Sequence, residues 1–125
     1  MTEFVIVIPA RYASVRLPGK VLLEIAGKPM LQHVYERGNE SAAAQVIIAT
    51  DDRRIADVAE EFGATVCVTG KHHQSGTERI AEVADLLAWD DAQIVVNLQG
   101  DEPSMPAALI DQCAALLDDG KSDIA

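Results

Sequence analysis

A chain of 125 residues, 49% apolar and 4% aromatic, is long enough for one domain built on a core of Val, Ile, Leu and Ala. A formal net charge of −10 excludes the broad basic face that long nucleic acid requires, and the apolar runs are too short to cross a bilayer. The expected partners therefore include neither nucleic acid nor membrane. The N-terminus carries no charged-then-apolar secretion signal. Cys67 and Cys113 sit in apolar contexts without CxxC spacing, which reads as buried thiols in the cytoplasm, a disulfide being the weaker reading.

Taken in chain order, strand-like and helix-like segments alternate. Phe4 to Ile8 is the first strand. Met30 to about Ala43 reads as a helix weakened by Gly38. Val46 to Ala49 is the second strand. The next helix is capped by Thr50 or Asp51, carries Ile55, Val58, Ala59 and Phe62 on one face, and stops at Gly63. Thr65 to Val68 is a short third strand. Ser75 and Glu78 have capping-box spacing, followed by the helical stripe Ile80, Val83, Ala84 and Leu87. Ile94 to Leu98 is the fourth strand. A last helix has Pro106 in its first turn, an apolar face of Ile110, Cys113, Ala114 and Leu117, and Gly120 behind it. Continuous apolar strands between amphipathic helices predict an α/β fold with a mainly parallel sheet covered on both faces. The alternation also predicts a further strand from about Ser122, so the domain is expected to be cut short.

In such a sheet the loops leaving the C-terminal strand ends share one edge, where ligands bind. Residues 4 to 23 hold Arg11, Arg16 and Lys20 and no carboxylate, in a Pro- and Gly-containing stretch directly after the first strand. Arginine offers paired donors to phosphate oxygens and lysine a point charge. The same three cations also fit a solvated surface loop. The segment from Lys71 to Arg79 runs into a helix start, and Ser75-Gly76-Thr77 is equally a plain helix cap. Gln99-Gly100-Asp101-Glu102-Pro103 follows the fourth strand, where a carboxylate could hold Mg²⁺ among oxygen ligands. The alternative for Asp101-Glu102-Pro103 is a turn. His72 and His73 are adjacent, point apart and lack a third ligand, which favours a loop role. Asp51 and Asp52 read as helix-capping residues, and Ser14 has no neighbouring base. The sequence holds no GxxxxGK[ST] or GxGxxG pattern, which argues against a P-loop NTPase or a nicotinamide enzyme.

Five segments, IPARYASVRLPGK (8–20), GKPMLQHV (27–34), ATDD (49–52), HQSGTER (73–79) and VNLQGDEP (96–103), resemble in order and spacing those of the CMP-Kdo synthetases, the 3-deoxy-manno-octulosonate cytidylyltransferases. Sialic acid cytidylyltransferases have a similar first loop, but typically neither its Arg-Leu-Pro-Gly-Lys ending nor the HQSGTER segment. The resemblance implies a three-layer, Rossmann-like fold of the nucleotide-diphospho-sugar-transferase type. It further implies transfer of CMP from CTP to Kdo with release of pyrophosphate, aided by Mg²⁺, for lipopolysaccharide synthesis. By the same resemblance Arg11, Arg16 and Lys20 clamp the triphosphate and the backbone at Ala10 helps hold the nucleotide. Ser75, Gly76 and Arg79 line the cytidine pocket, Gln99 lies near the ribose, and Asp101 is a metal ligand. Members of the family run to about twice this length. Residues 1–125 then correspond to the nucleotide-binding N-terminal part, and the further metal-binding carboxylate, most of the sugar pocket and the homodimer contacts belong to a second half. An isolated nucleotide-binding module, or an enzyme for another acidic sugar such as a sialic acid, remains open.

Overall fold

The computed structural model of the chain describes residues 4–12, 20–70, 76–89, 93–98 and 110–111, with Lys20, Gly76 and Thr77 described by their backbone. Four strands, β1 (Phe4–Pro9), β4 (Gln45–Thr50), β5 (Thr65–Val68) and β6 (Ile94–Asn97), form one sheet in the order β5-β4-β1-β6. All neighbouring pairs in it are parallel. A two-stranded antiparallel ribbon, β2 (Glu24–Ile25) and β3 (Lys28–Pro29), precedes the first helix. The long helices among the described residues are α1 (Met30–Glu40), α2 (Arg53–Glu61) and α3 (Gly76–Leu86).

The central strands are apolar throughout because both of their faces are covered. On one face Phe4, Ile6, Ile8, Val46 and Ile48 pack with Leu31 and Val34 of α1 and Ile55 and Ala59 of α2. On the other, Val5, Val7, Ala49 and Val95 pack with Ile80 and Val83 of α3. Alternate residues of one strand thus enter opposite cores, as the period of two demands. Each fully buried Ile or Leu is worth roughly 1.5–3 kcal/mol, so the continuous runs outweigh the intrinsic weakness of parallel pairing. The outcome is the three-layer α/β arrangement expected from the alternation.

Several local expectations are corrected. Helix α1 ends at Glu40, short of Ala43, where Ser41 donates through both its N–H and Oγ to the Gly38 carbonyl. Gly38 is a packing requirement: a Cβ there would stand 3.1 Å from Cγ1 of Val46, so α1 lies against the sheet only where a side chain is missing. The cap of α2 is Asp52, which accepts from Arg54 N–H and Ile55 N–H, and neither Thr50 nor Asp51 fills that place. Leu87 lies beyond the end of α3 and is exposed, outside the apolar face assigned to it. The β2–β3 ribbon was not expected. Its two-residue turn puts Ala26 at φ 53° and Gly27 at φ 83°, the left-handed pair of a tight hairpin turn. Of the last helix, Ile110 and Asp111 are helical; Ile110 joins the α1–α2 core and Asp111 Oδ1 accepts from Ala42 N–H. The rest of that helix, and the Ser75 end of the capping box, lie outside the described residues. Cys67 is a free, half-buried thiol on β5, and burial, with the Glu82 charge, pushes its pKa up.

Candidate functional site at the carboxyl edge of the sheet

From β1 the chain moves by way of α1 to β4 and then by α2 to β5, always in the same direction across the sheet. After α3 it turns back and places β6 on the far side of β1. The order therefore reverses between β1 and β6, and α1 and α2 cover one face while α3 covers the other. In open parallel sheets ligands bind outside the carboxyl ends of the strands at such a reversal of order. The ladder continues just past the strand ends and fixes the edge. Ala10 N–H donates to Ala49 O at 2.9 Å, Thr69 N–H to Thr50 O at 2.9 Å, and Leu98 N–H to Val7 O at 3.1 Å.

Arg11 leaves β1 at this edge, exposed, and pairs with none of the described residues. Ala10 beside it is buried, so its side chain is committed to the core and its backbone is what remains at the edge. The next residue, Tyr12, lies under Arg54, whose Cζ is 3.3 Å from the ring centroid. Arg54 in turn holds Asp52 by two bonds, Nε to Oδ1 at 3.1 Å and Nη2 to Oδ2 at 2.7 Å. The Arg54 guanidinium, and then the two backbone N–H groups of the cap, hold the Asp52 carboxyl below the usual carboxylate range. The exit of β1 is thereby stapled to the start of α2.

Arg79 occupies the same edge differently. In the first turn of α3 it is 5% exposed. Its Nη1 donates to Thr69 Oγ1 and to the Gly70 carbonyl, the latter at 3.3 Å, and its Nη2 faces Asp51 Oδ2 at 3.7 Å. A buried guanidinium needs such partners, and here they come from the exits of β4 and β5. Asp51 and Thr69 are thus parts of the edge that the sequence did not single out. Two adjacent aspartates both look like caps, and nothing local separates the one that caps from the one that pairs across the sheet.

Of the residues expected at the site, the structure brings Ala10, Arg11, Gly76 and Arg79 to this edge, and the backbone of Lys20 begins a single 3-10 turn, Lys20–Leu22. Arg16, Ser75, Gln99 and Asp101 lie outside the described residues, as do His72 and His73. Among the described residues no group of three His, Cys, Asp or Glu side chains is close enough to hold a metal ion. A groove of about 400 Å³ lies elsewhere, between the ribbon and α2, lined among others by Leu22, Glu24, Val58 and Phe62. No helix among the described residues is long and apolar enough to cross a membrane.

These features define a doubly wound α/β domain whose strand order reverses between β1 and β6. Residues 5–124 match the family model described as cytidylyltransferase, and the chain belongs to that family. It is 59% identical over 117 residues to a 3-deoxy-manno-octulosonate cytidylyltransferase of Coxiella burnetii, covering 94% of this chain and 47% of that protein. To the protein of the same name from Hahella chejuensis it is 60% identical over 114 residues, 91% of this chain and 45% of the relative. Among solved structures, a CMP:2-keto-3-deoxy-manno-octonic acid synthetase complexed with CTP superposes with a TM-score of 0.87 at 45% identity. That match covers 94% of this chain and 48% of the other. The chain therefore spans about half the length of the curated relatives it matches.

Proposed function

We propose that residues 1–125 are the nucleotide-binding part of a 3-deoxy-manno-octulosonate cytidylyltransferase, which makes CMP-Kdo and pyrophosphate from CTP and Kdo for lipopolysaccharide synthesis in the cytoplasm. The observation that carries this reading is the reversal of strand order between β1 and β6, with Arg11 leaving the first of these strands exposed and pairing with none of the described residues. The identity to relatives of that name supports the choice of nucleotide and sugar. In the reaction the sugar's anomeric hydroxyl oxygen forms a bond to the α-phosphorus of CTP as the bond to the β-phosphate oxygen breaks. The hydroxyl proton is lost and pyrophosphate departs. Such a transfer depends on alignment and on neutralising phosphate charge.

In this reading Arg11, Arg16 and Lys20 hold the triphosphate, and the Ala10 backbone contacts the nucleotide. Ser75, Gly76 and Arg79 belong to the cytidine pocket and Gln99 to the ribose end. The donor set fits Mg²⁺ as far as it goes, since Asp101 follows β6 and offers a hard oxygen ligand. Bound there with water and phosphate oxygens, the ion would neutralise charge on the nucleotide. The further carboxylate, the Kdo pocket and the homodimer contacts are assigned to a second half of the enzyme. Pyrophosphate release tests the reading. An enzyme comprising both halves should release it with CTP, Mg²⁺ and Kdo, and should not do so with a sialic acid in place of Kdo. Release with the sialic acid alone would overturn the sugar assignment. In that enzyme Asp101→Asn should lower kcat by about a hundredfold or more, and undiminished turnover would remove Asp101 from the metal site.

A further inference from the structure

Helix α3 grips the exit of β5 at one residue. Gly70 N–H donates to both carboxylate oxygens of Glu82, at 3.1 and 3.2 Å, and the Gly70 carbonyl accepts from Arg79 Nη1 at 3.3 Å. Residues three apart share one side of a helix, so Arg79 and Glu82 reach the same residue from one face of α3. The apolar contacts of Ile80 and Val83 with the sheet hold the helix down, but such contacts are non-directional and leave sliding along the helix axis weakly opposed. A hydrogen bond donated by one side chain to the carbonyl of that residue, and one accepted by the other side chain from its N–H, fix that axial position. Arg79 extends the brace to Thr69 and Asp51, so three strand-exit residues and one helix are locked together.

We infer that Arg79 and Glu82 are positioning residues, a two-point clamp on Gly70 that sets where the start of α3 at Gly76 stands relative to the ends of β4 and β5. The inference rests on the nucleotide reading above and alters it in one respect. Arg79, 5% exposed and turned toward protein groups, shapes the nucleotide pocket through Gly70, Thr69 and Asp51 instead of acting by contact with the base.

The experiment compares Glu82→Ala, which removes the acceptor, with Glu82→Gln, which keeps an oxygen for Gly70 N–H. Amide exchange at Gly70 by NMR and the Kd for CTP with Mg²⁺ by calorimetry are read on the 125-residue chain. Glu82→Ala should speed Gly70 exchange about tenfold and raise the Kd about fivefold. Glu82→Gln should return both to within about twofold of wild type. Thr69→Val provides a second probe, because it removes the hydroxyl and keeps the shape. In the two-half enzyme it should raise KM for CTP about threefold with kcat unchanged. Unaltered exchange in Glu82→Ala overturns the clamp, as does a glutamine variant no better than alanine. Faster exchange with an unchanged Kd shows a brace that does not shape the pocket and also overturns the inference. If wild-type chain binds no CTP, the nucleotide reading falls, while the exchange comparison still decides whether the clamp exists.

Discussion

Arg11 and Arg79 stand at the same edge of the sheet and have opposite environments. Arg79 is buried among Thr69, Gly70 and Asp51, whereas Arg11 is exposed and pairs with none of the described residues. Arg54 falls between them, exposed yet bonded twice to Asp52 and stacked on Tyr12. The difference separates two uses of one residue type. A guanidinium whose donors are engaged by the protein rigidifies the edge, and one left facing solvent is free to meet an anion.

Truncation should grade these arginines by stability. Arg79→Ala leaves buried acceptors and an aspartate without their partner, and should cost about 3 kcal/mol of folding free energy in urea titration. A cost below about 1 kcal/mol would place Arg79 among ordinary surface residues. Arg11→Ala should behave inversely. Its unfolding midpoint should stay within about 0.5 kcal/mol of wild type, while CTP binding weakens by about 2 kcal/mol, close to thirtyfold, by calorimetry. Equal losses in both measurements would erase the contrast between the two residues.

The Asp52 cap sharpens the middle case. Asp52→Ala should cost about 1 kcal/mol, and Asp52→Asn much less, because the amide oxygen still accepts from the helix N–H groups. The carboxyl is held below its ordinary value of 3.8 in the folded protein. Its contribution is therefore complete above that value and is lost as pH falls through the lower folded value. Thermal scans of wild type and Asp52→Asn should accordingly converge as pH falls below the ordinary carboxyl value of 3.8. The smallest effect belongs to Arg54→Ala, since an exposed stack and ion pair are screened by water. A loss as large as that of Arg79→Ala would remove the gradation with burial.

How much was legible in advance differs by feature, for physical reasons. The runs Phe4–Pro9 and Gln45–Thr50 announce buried strands because both faces are covered, and α2 announces itself through its apolar stripe. The ribbon at Ala26-Gly27 escaped because alanine stands where Asn or Asp would signal a left-handed turn. Gly38 looked like a flaw in a helix, since its reason is Val46, eight residues away in sequence and 3.1 Å from the missing Cβ.

The sequence alone determined the class of fold, the parallel sheet and the cluster of cations following the first strand. Apolar periodicity and residue type are local properties, and they suffice for that. Which strand lies beside which, and so where the strand order reverses, was decided by the crossing of α3 to the opposite face. The division of labour between Arg11 and Arg79, and between Asp51 and Asp52, was likewise settled only in three dimensions. Burial and the distance to partners from other strands give identical side chains different chemistry, and neither quantity is written in the order of residues.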